Sequence, residues 1–304
     1  MNPLRIGTRG SPLALWQAHH IETLLQPLVG SRGVELVLIE TTGDQIRDRA
    51  LSQIGGDGLF TKEIQNALLD GRVDVAVHSL KDLPTTPIPE LLLAAVPPRG
   101  PIGDAFVSRH HAHFDALPQG ARVGTSSLRR RSQLLHRRPD IRVEVLRGNV
   151  ETRLRKLEEE GFDAILLAEA GLYRLGLQER ITHLLDRSWM LPAVGQGALG
   201  LECRANDTLT QEVLAPLSDP ATWAAVRAER AMLRGLGGGC LVPIGALGVV
   251  EGGVLHLRGC VLRPDGSQRV DGSISGPAEQ AESLGRQLAQ HLLEQGASEL
   301  LATK

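Results

Sequence analysis

The sequence predicts an α/β protein: two strand–helix domains facing one another across a cleft, followed by a smaller α+β domain. Three observations predict it. Apolar strand-like runs alternate with amphipathic helical ones through the first two thirds of the chain, the pattern of layered α/β units. That alternation is broken at Pro97-Pro98-Arg99-Gly100-Pro101 and again at Leu191-Pro192-Ala193-Val194-Gly195-Gln196-Gly197-Ala198, segments that suit crossovers between domains. From Asp219-Pro220 onward the order becomes helix, several strands, helix. With 304 residues, 42% of them hydrophobic, the chain can supply two or three separate cores. The expected divisions are 1–97 with 198–215, then 103–192, then 219–304.

Leu4-Arg5-Ile6-Gly7 reads as a buried strand. Ser11 then offers a capping hydroxyl and Pro12 an N1 proline, so a helix should start there and run to about Leu28. Its apolar positions Leu13, Trp16, Ile21, Leu24, Leu25 and Leu28 share one broad face. Val34 to Thr41 follows as a strand. Residues 42–59 are rich in Gly, Asp and Arg and read equally well as a lid or as a plain connector. A helix from Thr61 to about Asp70 leads into the strand Val73 to Val77, which delivers His78-Ser79-Leu80-Lys81-Asp82-Leu83-Pro84 at its carboxyl end. Leu91 to Val96 is the next strand. The second unit then takes Ala105 to Ser108, the Gly124 turn with its helix, Ile141 to Leu146, a helix to Glu160, and Ala164 to Ala168. Leu199 to Cys203 is expected to return to the first sheet. Asp219 caps a helix running to about Leu236, which stops at Gly237-Gly238-Gly239-Cys240. Strands turning at Glu251-Gly252-Gly253 and Pro264-Asp265-Gly266, with Cys260 in their sheet, precede a last helix over about 277–294.

Open α/β sheets bind ligands beyond the carboxyl ends of their strands. Three such ends carry chemistry here. Between Ala121 and Arg155 the chain places ten arginines against three acids, although its net charge is only −2. Gly124-Thr125-Ser126-Ser127 brings hydroxyls and unpaired backbone N–H groups to a helix start beside Arg129 and Arg130, an arrangement suited to carboxylate or phosphate. Arg147 and Arg153 flank a similar loop, while Arg137, Arg138 and Arg155 read as solvated surface. Thr8, Arg9 and Ser11 form a turn of the same design. At the third end, Ser79, Lys81 and Asp82 are placed for chemistry, though Asp82 read alone suits a helix cap or an ion pair as well as a catalyst. His78 reads as a packed, hydrogen-bonded histidine. Three glycines before Cys240 would let another molecule approach the thiol, or mark only a helix stop with an incidental cysteine.

Composition excludes several classes. Three widely spaced cysteines form neither a disulfide framework nor a zinc pattern, and no metal is expected. No apolar run is long enough for a membrane span, and the first residues lack a signal-peptide core, so no membrane partner and a cytoplasmic location are expected. With aromatics at only 3% and none in the basic stretch, stacking of nucleic-acid bases is disfavoured.

Taken together, Thr8-Arg9-Gly10-Ser11-Pro12-Leu13-Ala14, His78 to Pro84, Gly124 to Arg130, Leu146-Arg147-Gly148-Asn149-Val150, Pro192 to Gly197, and Glu229-Arg230-Ala231 leading to Gly238-Gly239-Cys240 closely resemble the porphobilinogen deaminase (hydroxymethylbilane synthase) family. The motifs stand in the family's order along almost the whole chain. The resemblance implies two α/β domains like those of periplasmic binding proteins, plus a small C-terminal α+β domain. It implies a reaction in which four porphobilinogen molecules are joined head to tail, with release of ammonia, on a dipyrromethane cofactor held by a thioether to Cys240.

By the same resemblance Asp82 is the catalytic residue, stabilising the pyrrole cation left by ammonia and moving protons. Lys81, Asp82, Ser79, Thr125, Ser127, Arg129, Arg130 and Gly148 would hold the cofactor. Arg9, Ser11, Ser126, Arg147, Arg153, Arg174 and Phe60 would bind substrate. The chemistry agrees, since every pyrrole brings an acetate and a propionate, and arginine grips carboxylates bidentately. The family further implies a monomer whose product passes to uroporphyrinogen-III synthase. One departure stands out: Gln53 and Asp57 occupy the loop before Gly-Leu-Phe, where basic residues are usual in the family. A two-lobed anion or solute receptor without catalysis would explain the turns, but neither the Gly-Gly-Gly-Cys segment nor the third domain.

Overall fold

A computed structural model describes residues 2–41, 61–239 and 242–302. The expectations about the loop 42–59, Phe60 and Cys240 therefore lie outside the described residues.

The first sheet contains β1 (Leu4–Thr8), β2 (Val34–Leu38), β3 (Val75–Ser79), β4 (Leu91–Ala95) and β10 (Leu199–Arg204), in the order β2-β1-β3-β10-β4. Strands β1, β2 and β3 are parallel, whereas β10 runs antiparallel to both β3 and β4. The chain thus leaves this sheet after β4 and comes back to its middle. Helix α1 (Pro12–Val29) covers one face because Ala18, Ile21 and Leu25 recur at helical spacing and pack on Leu4, Ile6, Val75, Val77 and Leu201. Helix α2 (Lys62–Leu69) covers the other with Ile64 and Leu68 against Ala76. The alternation Val75, Ala76, Val77 along β3 sends successive side chains to opposite cores, as a strand buried on both faces requires.

The second sheet repeats the plan with β5 (Asp104–Val107), β6 (Arg122–Gly124), β7 (Arg142–Glu144), β8 (Ala164–Ala168) and β9 (His183–Leu184), ordered β7-β6-β8-β5-β9. Helix α3 (Leu128–Arg137) packs Leu134 over Phe106, Val123 and Leu166, and α4 (Val150–Glu159) packs Leu154 and Leu157 over Ile165 and Leu167. Strand β7 is shorter than its apolar run suggests. Its partner β6 ends at Gly124, paired with Glu144, and the chain then turns outward with Val145 exposed. The short helices α5 (Glu169–Arg174) and α6 (Thr208–Leu214), like β9, were not expected from the sequence.

The third body is an antiparallel sheet of β11 (Ile244–Glu251), β12 (Val254–Leu262) and β13 (Arg269–Pro277), with α7 (Pro220–Gly235) and α8 (Ala281–Glu294) on one face. The two helices approach closely at Gly285, where a Cβ would lie 2.3 Å from the Ala228 carbonyl oxygen. Helix α8 starts later than expected, because Pro277 still belongs to β13, an edge strand that tolerates a residue with no N–H. Two α/β bodies with a chain crossing between them, plus a small α+β body, agree with the fold class expected from the sequence.

The crossovers lie side by side, with Gly100 N–H donating to the Gly197 carbonyl at 3.1 Å. Both are pinned to α7. Glu229, fully buried, accepts from Arg99 Nη1 and Nη2 at 2.7 and 3.0 Å and from the N–H groups of Gly195 and Gly248. The third body also holds the far end of α3. The β12–β13 turn packs Gly266 onto Leu135 and His136, with His136 Nδ1 2.8 Å from the Gly266 carbonyl oxygen. Gly266 has φ of 77°, and a Cβ there would lie 2.5 Å from the His136 nitrogen.

Candidate active site

On the first body, the ends of β1 and β3 frame a cleft, partly open to solvent, lined by Arg9, Ser11, Gln17, Thr61, His78, Ser79 and Asp82. Local sequence explains the frame. Ser11 caps α1 by accepting from Ala14 N–H, and the Thr8 hydroxyl donates to the Ala14 carbonyl, which fixes the turn that presents Arg9. Gln17 donates to Ser79 Oγ at 2.8 Å and so couples α1 to the end of β3. Gln17 was not expected at the site. Its signal is the apolar row Leu13, Gln17, Ile21, interrupted by a buried amide. Beneath the cleft, His78 Nε2 lies 3.1 Å from Glu202 Oε2, and Gln65 donates to both oxygens of the same carboxylate. His78 is thus packed and partnered.

On the second body, the Gly124 turn is held by its own hydroxyls. Ser127 caps α3 through Arg130 N–H, Thr125 Oγ1 accepts from Ser127 N–H, and Ser126 donates to the Leu146 carbonyl. Arg129 and Arg130 point to a partner the sequence did not announce, the buried Asp104 at the start of β5. Arg129 Nη1 and Nη2 donate to its two oxygens at 2.7 and 3.0 Å, and Arg130 Nε donates at 2.8 Å. Arg129 also donates to the Leu191 carbonyl, and Arg130 to that of Leu166. Burial opposes ionisation of Asp104, but the two guanidinium groups overcome it and hold the carboxyl far below the usual range. Where the sequence reading gives Arg129 and Arg130 to a ligand, the geometry ties both to the protein, Arg129 to Asp104 and Leu191 and Arg130 to Asp104 and Leu166.

The loop after β7 adds three elements. Asn149 caps α4 by accepting from Thr152 N–H at 2.8 Å. Gly148 adopts φ of 122°, and a Cβ there would stand 2.5 Å from Thr152 Cγ2, so the backbone itself demands glycine. Arg153 Nε donates to the Gly148 carbonyl at 2.8 Å, and Arg147 Nη1 is buried with no hydrogen-bond partner among the described residues.

Electrostatics joins the two walls. Burial and the neighbouring Arg130 and Arg147 bring Arg153 down to about 10, while Asp82, from the opposite body, acts against them. Burial likewise brings Lys81 down to about 8, with Asp82 and Asp104 favouring its charge and Arg130 and Arg129 opposing it. Lys81, Asp82, Arg130, Arg147 and Arg153 therefore form one interacting cluster. Arg174 stands apart. Its guanidinium lies over the Trp16 ring at 5.7 Å and donates to the Gly197 carbonyl at 2.7 Å, beside the crossovers. Burial lowers it to about 10.

The third body reaches this cluster through α7. Arg230 donates to the carbonyls of Leu83 and Pro84 at 2.9 and 2.7 Å, clamping the loop that carries Lys81 and Asp82. At Gly238 a Cβ would stand 2.7 Å from Leu233 Cδ1, so a larger residue would require that side chain to shift. Gly239 lines a small pocket together with Lys81, Leu83 and Arg230. The thiols of Cys203 and Cys260 are buried, and burial pushes both up to about 11, as expected of inert core cysteines.

Among the described residues no helix is long and apolar enough to cross a membrane. Among solved structures, the chain is similar to the methionine-binding protein MetQ, at TM-score 0.46 and 13% identity over 71% of this chain and 89% of that one. It is also similar to a periplasmic substrate-binding protein of an ABC transporter from Coxiella burnetii, at TM-score 0.45 and 14% identity over 75% and 96%. Curated relatives match far more closely. The porphobilinogen deaminase of Syntrophotalea carbinolica is 54% identical over 299 residues, 98% of this chain and 95% of its own. That of Pelobacter propionicus is 52% identical over 298 residues, 98% and 96% respectively. A family model described as porphobilinogen deaminase, dipyromethane cofactor binding domain, matches residues 4–212, and the porphobilinogen deaminase C-terminal domain matches residues 223–294. Basic side chains from two α/β bodies that interact around Asp82, a third body whose helix clamps the loop carrying Asp82, and a match over nearly the full length together place this chain in the porphobilinogen deaminase family.

Proposed function

We propose that this chain is a transferase that joins four porphobilinogen molecules head to tail on a covalently held dipyrromethane and, after hydrolysis, releases hydroxymethylbilane. The match to porphobilinogen deaminases along 98% of the chain carries this reading.

The donor set fits a dipyrromethane. Its acetates and propionates need fixed cations, and Lys81, Arg130, Arg147 and Arg153 gather around Asp82, with Arg147 Nη1 buried and lacking an acceptor. Bound there, the dipyrromethane supplies the pyrrole carbon that attacks the first substrate. Cys240 is the residue proposed to hold it by a thioether, supported by Gly239 sharing a pocket with Lys81 and by the burial of the other two thiols.

The remaining roles belong to side chains. Lys81, Ser79, Thr125, Ser127 and Gly148 line the primer's place, while Arg129 and Arg130, both held on Asp104, supply positive charge from the start of α3. Arg9, Ser11, Arg147 and Arg153 take substrate carboxylates, each charge-assisted bond being worth about 1.5–3 kcal/mol, and Ser126, whose hydroxyl is spent on the Leu146 carbonyl, offers its backbone N–H. Arg174 and Phe60 complete the substrate set carried over from the family. Asp82 opposes positive charge as ammonia leaves the substrate, and it takes and returns the proton that the condensation moves. A preformed carboxylate needs no reorganisation at that moment.

Three bodies with separate cores support the division into 1–97 with 198–215, 103–192 and 219–304. We further propose a cytoplasmic monomer whose product passes to uroporphyrinogen-III synthase. Intact mass of the purified protein tests the reading. An adduct of two linked pyrroles, absent from Cys240→Ala, is expected; an unmodified chain in an active preparation would refute it.

A further inference from the structure

We propose that Asp104 is a positioning residue for the cationic wall: its buried carboxylate fixes Arg129 and Arg130 and serves as the counter-charge that lets them stand with Lys81 beside Asp82. The proposal rests on reading the cleft as a carboxylate-binding active site.

Arg129 and Arg130 are adjacent in the first turn of α3, so their side chains leave the helix about 100° apart. They nevertheless converge on one carboxylate. Asp104 Oδ2 accepts from Arg129 Nη1, and Oδ1 accepts from Arg129 Nη2, from Arg130 Nε and, at 3.3 Å, from Gln196 Nε2. Each arginine is then tied to a different stretch of backbone, Arg129 to Leu191 and Arg130 to Leu166 in β8. Gln196 adds bonds to the carbonyls of Ile102 and Gly103. Asp104 thus stands where β5, β8, α3 and both crossovers meet.

The charge balance distinguishes this cluster from an ordinary structural ion pair. Two buried guanidinium groups face one buried carboxylate, and stability alone does not favour burying an uncompensated cation. The surplus charge suits an anionic ligand. Asp104 permits the surplus by reducing repulsion between the arginines while leaving the wall positive. Its influence extends to the first body, where Asp104 and Asp82 both favour the charged form of Lys81 against burial and against Arg130 and Arg129.

The test compares Asp104→Asn and Asp104→Glu with the parent chain at full length. The adduct fraction is read by intact mass. The pH dependence of Lys81 acylation by acetic anhydride is read by peptide mass spectrometry in the Cys240→Ala background, where no adduct shields the lysine. Asp104→Asn is expected to lower the adduct fraction on the order of tenfold and to move the Lys81 midpoint about one pH unit lower. Asp104→Glu keeps the charge but displaces the carboxylate, and is expected to preserve the midpoint while the adduct fraction falls. Parent-like adduct and midpoint in Asp104→Asn overturn the proposal. If Asp104→Asn does not fold, a parent-like adduct fraction in Asp104→Glu overturns it, and a lowered fraction with the parent midpoint supports it. Absence of an adduct from an active parent chain would instead refute the reaction reading, and the Lys81 titration would still judge Asp104.

Discussion

Arg99 and Glu229 meet as fork and carboxylate, at 2.7 and 3.0 Å, between the first crossover and the helix of the third body. Glu229 is fully buried, so removing Arg99 leaves a charge with only backbone donors to stabilise it. Arg99→Met is expected to cost about 3–5 kcal/mol. Urea denaturation checks this, and a loss below 1 kcal/mol would show that Gly195 and Gly248 suffice.

Asp82→Asn tests the chemistry separately from the binding. The amide keeps the shape and loses the negative charge, so the protein should fold and carry its adduct while turnover falls about 10²–10⁴-fold. Steady-state ammonia release together with intact mass measures both. Near-normal turnover would remove Asp82 from the catalytic role.

Arg147 carries a buried donor, Nη1, with no hydrogen-bond partner among the described residues, which leaves it able to serve an anion. Arg147→Leu is expected to weaken cofactor assembly or chain growth by about one to two orders of magnitude, the worth of one charge-assisted bond. Arg147→Lys should rescue only part, because an ammonium lacks the planar fork. Unchanged adduct and turnover in Arg147→Leu would count against the assignment.

Lys81 gives the site a pH signature. It is held at about 8 rather than 10.5, so its positive charge is present below about pH 8 and is lost as pH rises through that value. Assembly of the dipyrromethane adduct should therefore weaken above pH 8, and Lys81→Arg should move that limb to higher pH. The stability sign is the reverse. Between the folded and unfolded values the unfolded chain binds more protons, so the contribution of Lys81 to folding grows as pH rises from about 8 to 10.5. An adduct-assembly pH profile, read by intact mass and unaltered by Lys81→Arg, would exclude this origin.

Much of this architecture was legible from residue periodicity. The rows on α1 and the alternation in β3 are local patterns, and the proline-rich segments announced where the chain changes sheets. The loops that converge on the cleft were legible too, since they follow strand ends. What the pattern withheld was pairing. Asp104 precedes Arg129 by 25 residues, and Glu202 meets His78 across 124, so nothing nearby tells which basic side chains a buried acid engages. Polar groups inside an α/β core choose partners through topology, and strand order is the least local property of a sequence. Short elements such as β9 and α5 escaped for a related reason, because packing stabilises them more than propensity does.

Helix α3 is engaged at both ends, Arg129 and Arg130 on Asp104 at one and His136 under the Gly266 turn at the other. Its ten residues therefore work as a gauge block whose length is fixed by what it touches. Inserting a single residue would turn one end by about 100° relative to the other. Either the arginines would leave Asp104 or the hairpin would lose its seat, so the residue count of this helix is constrained as tightly as the identity of any side chain in the cleft.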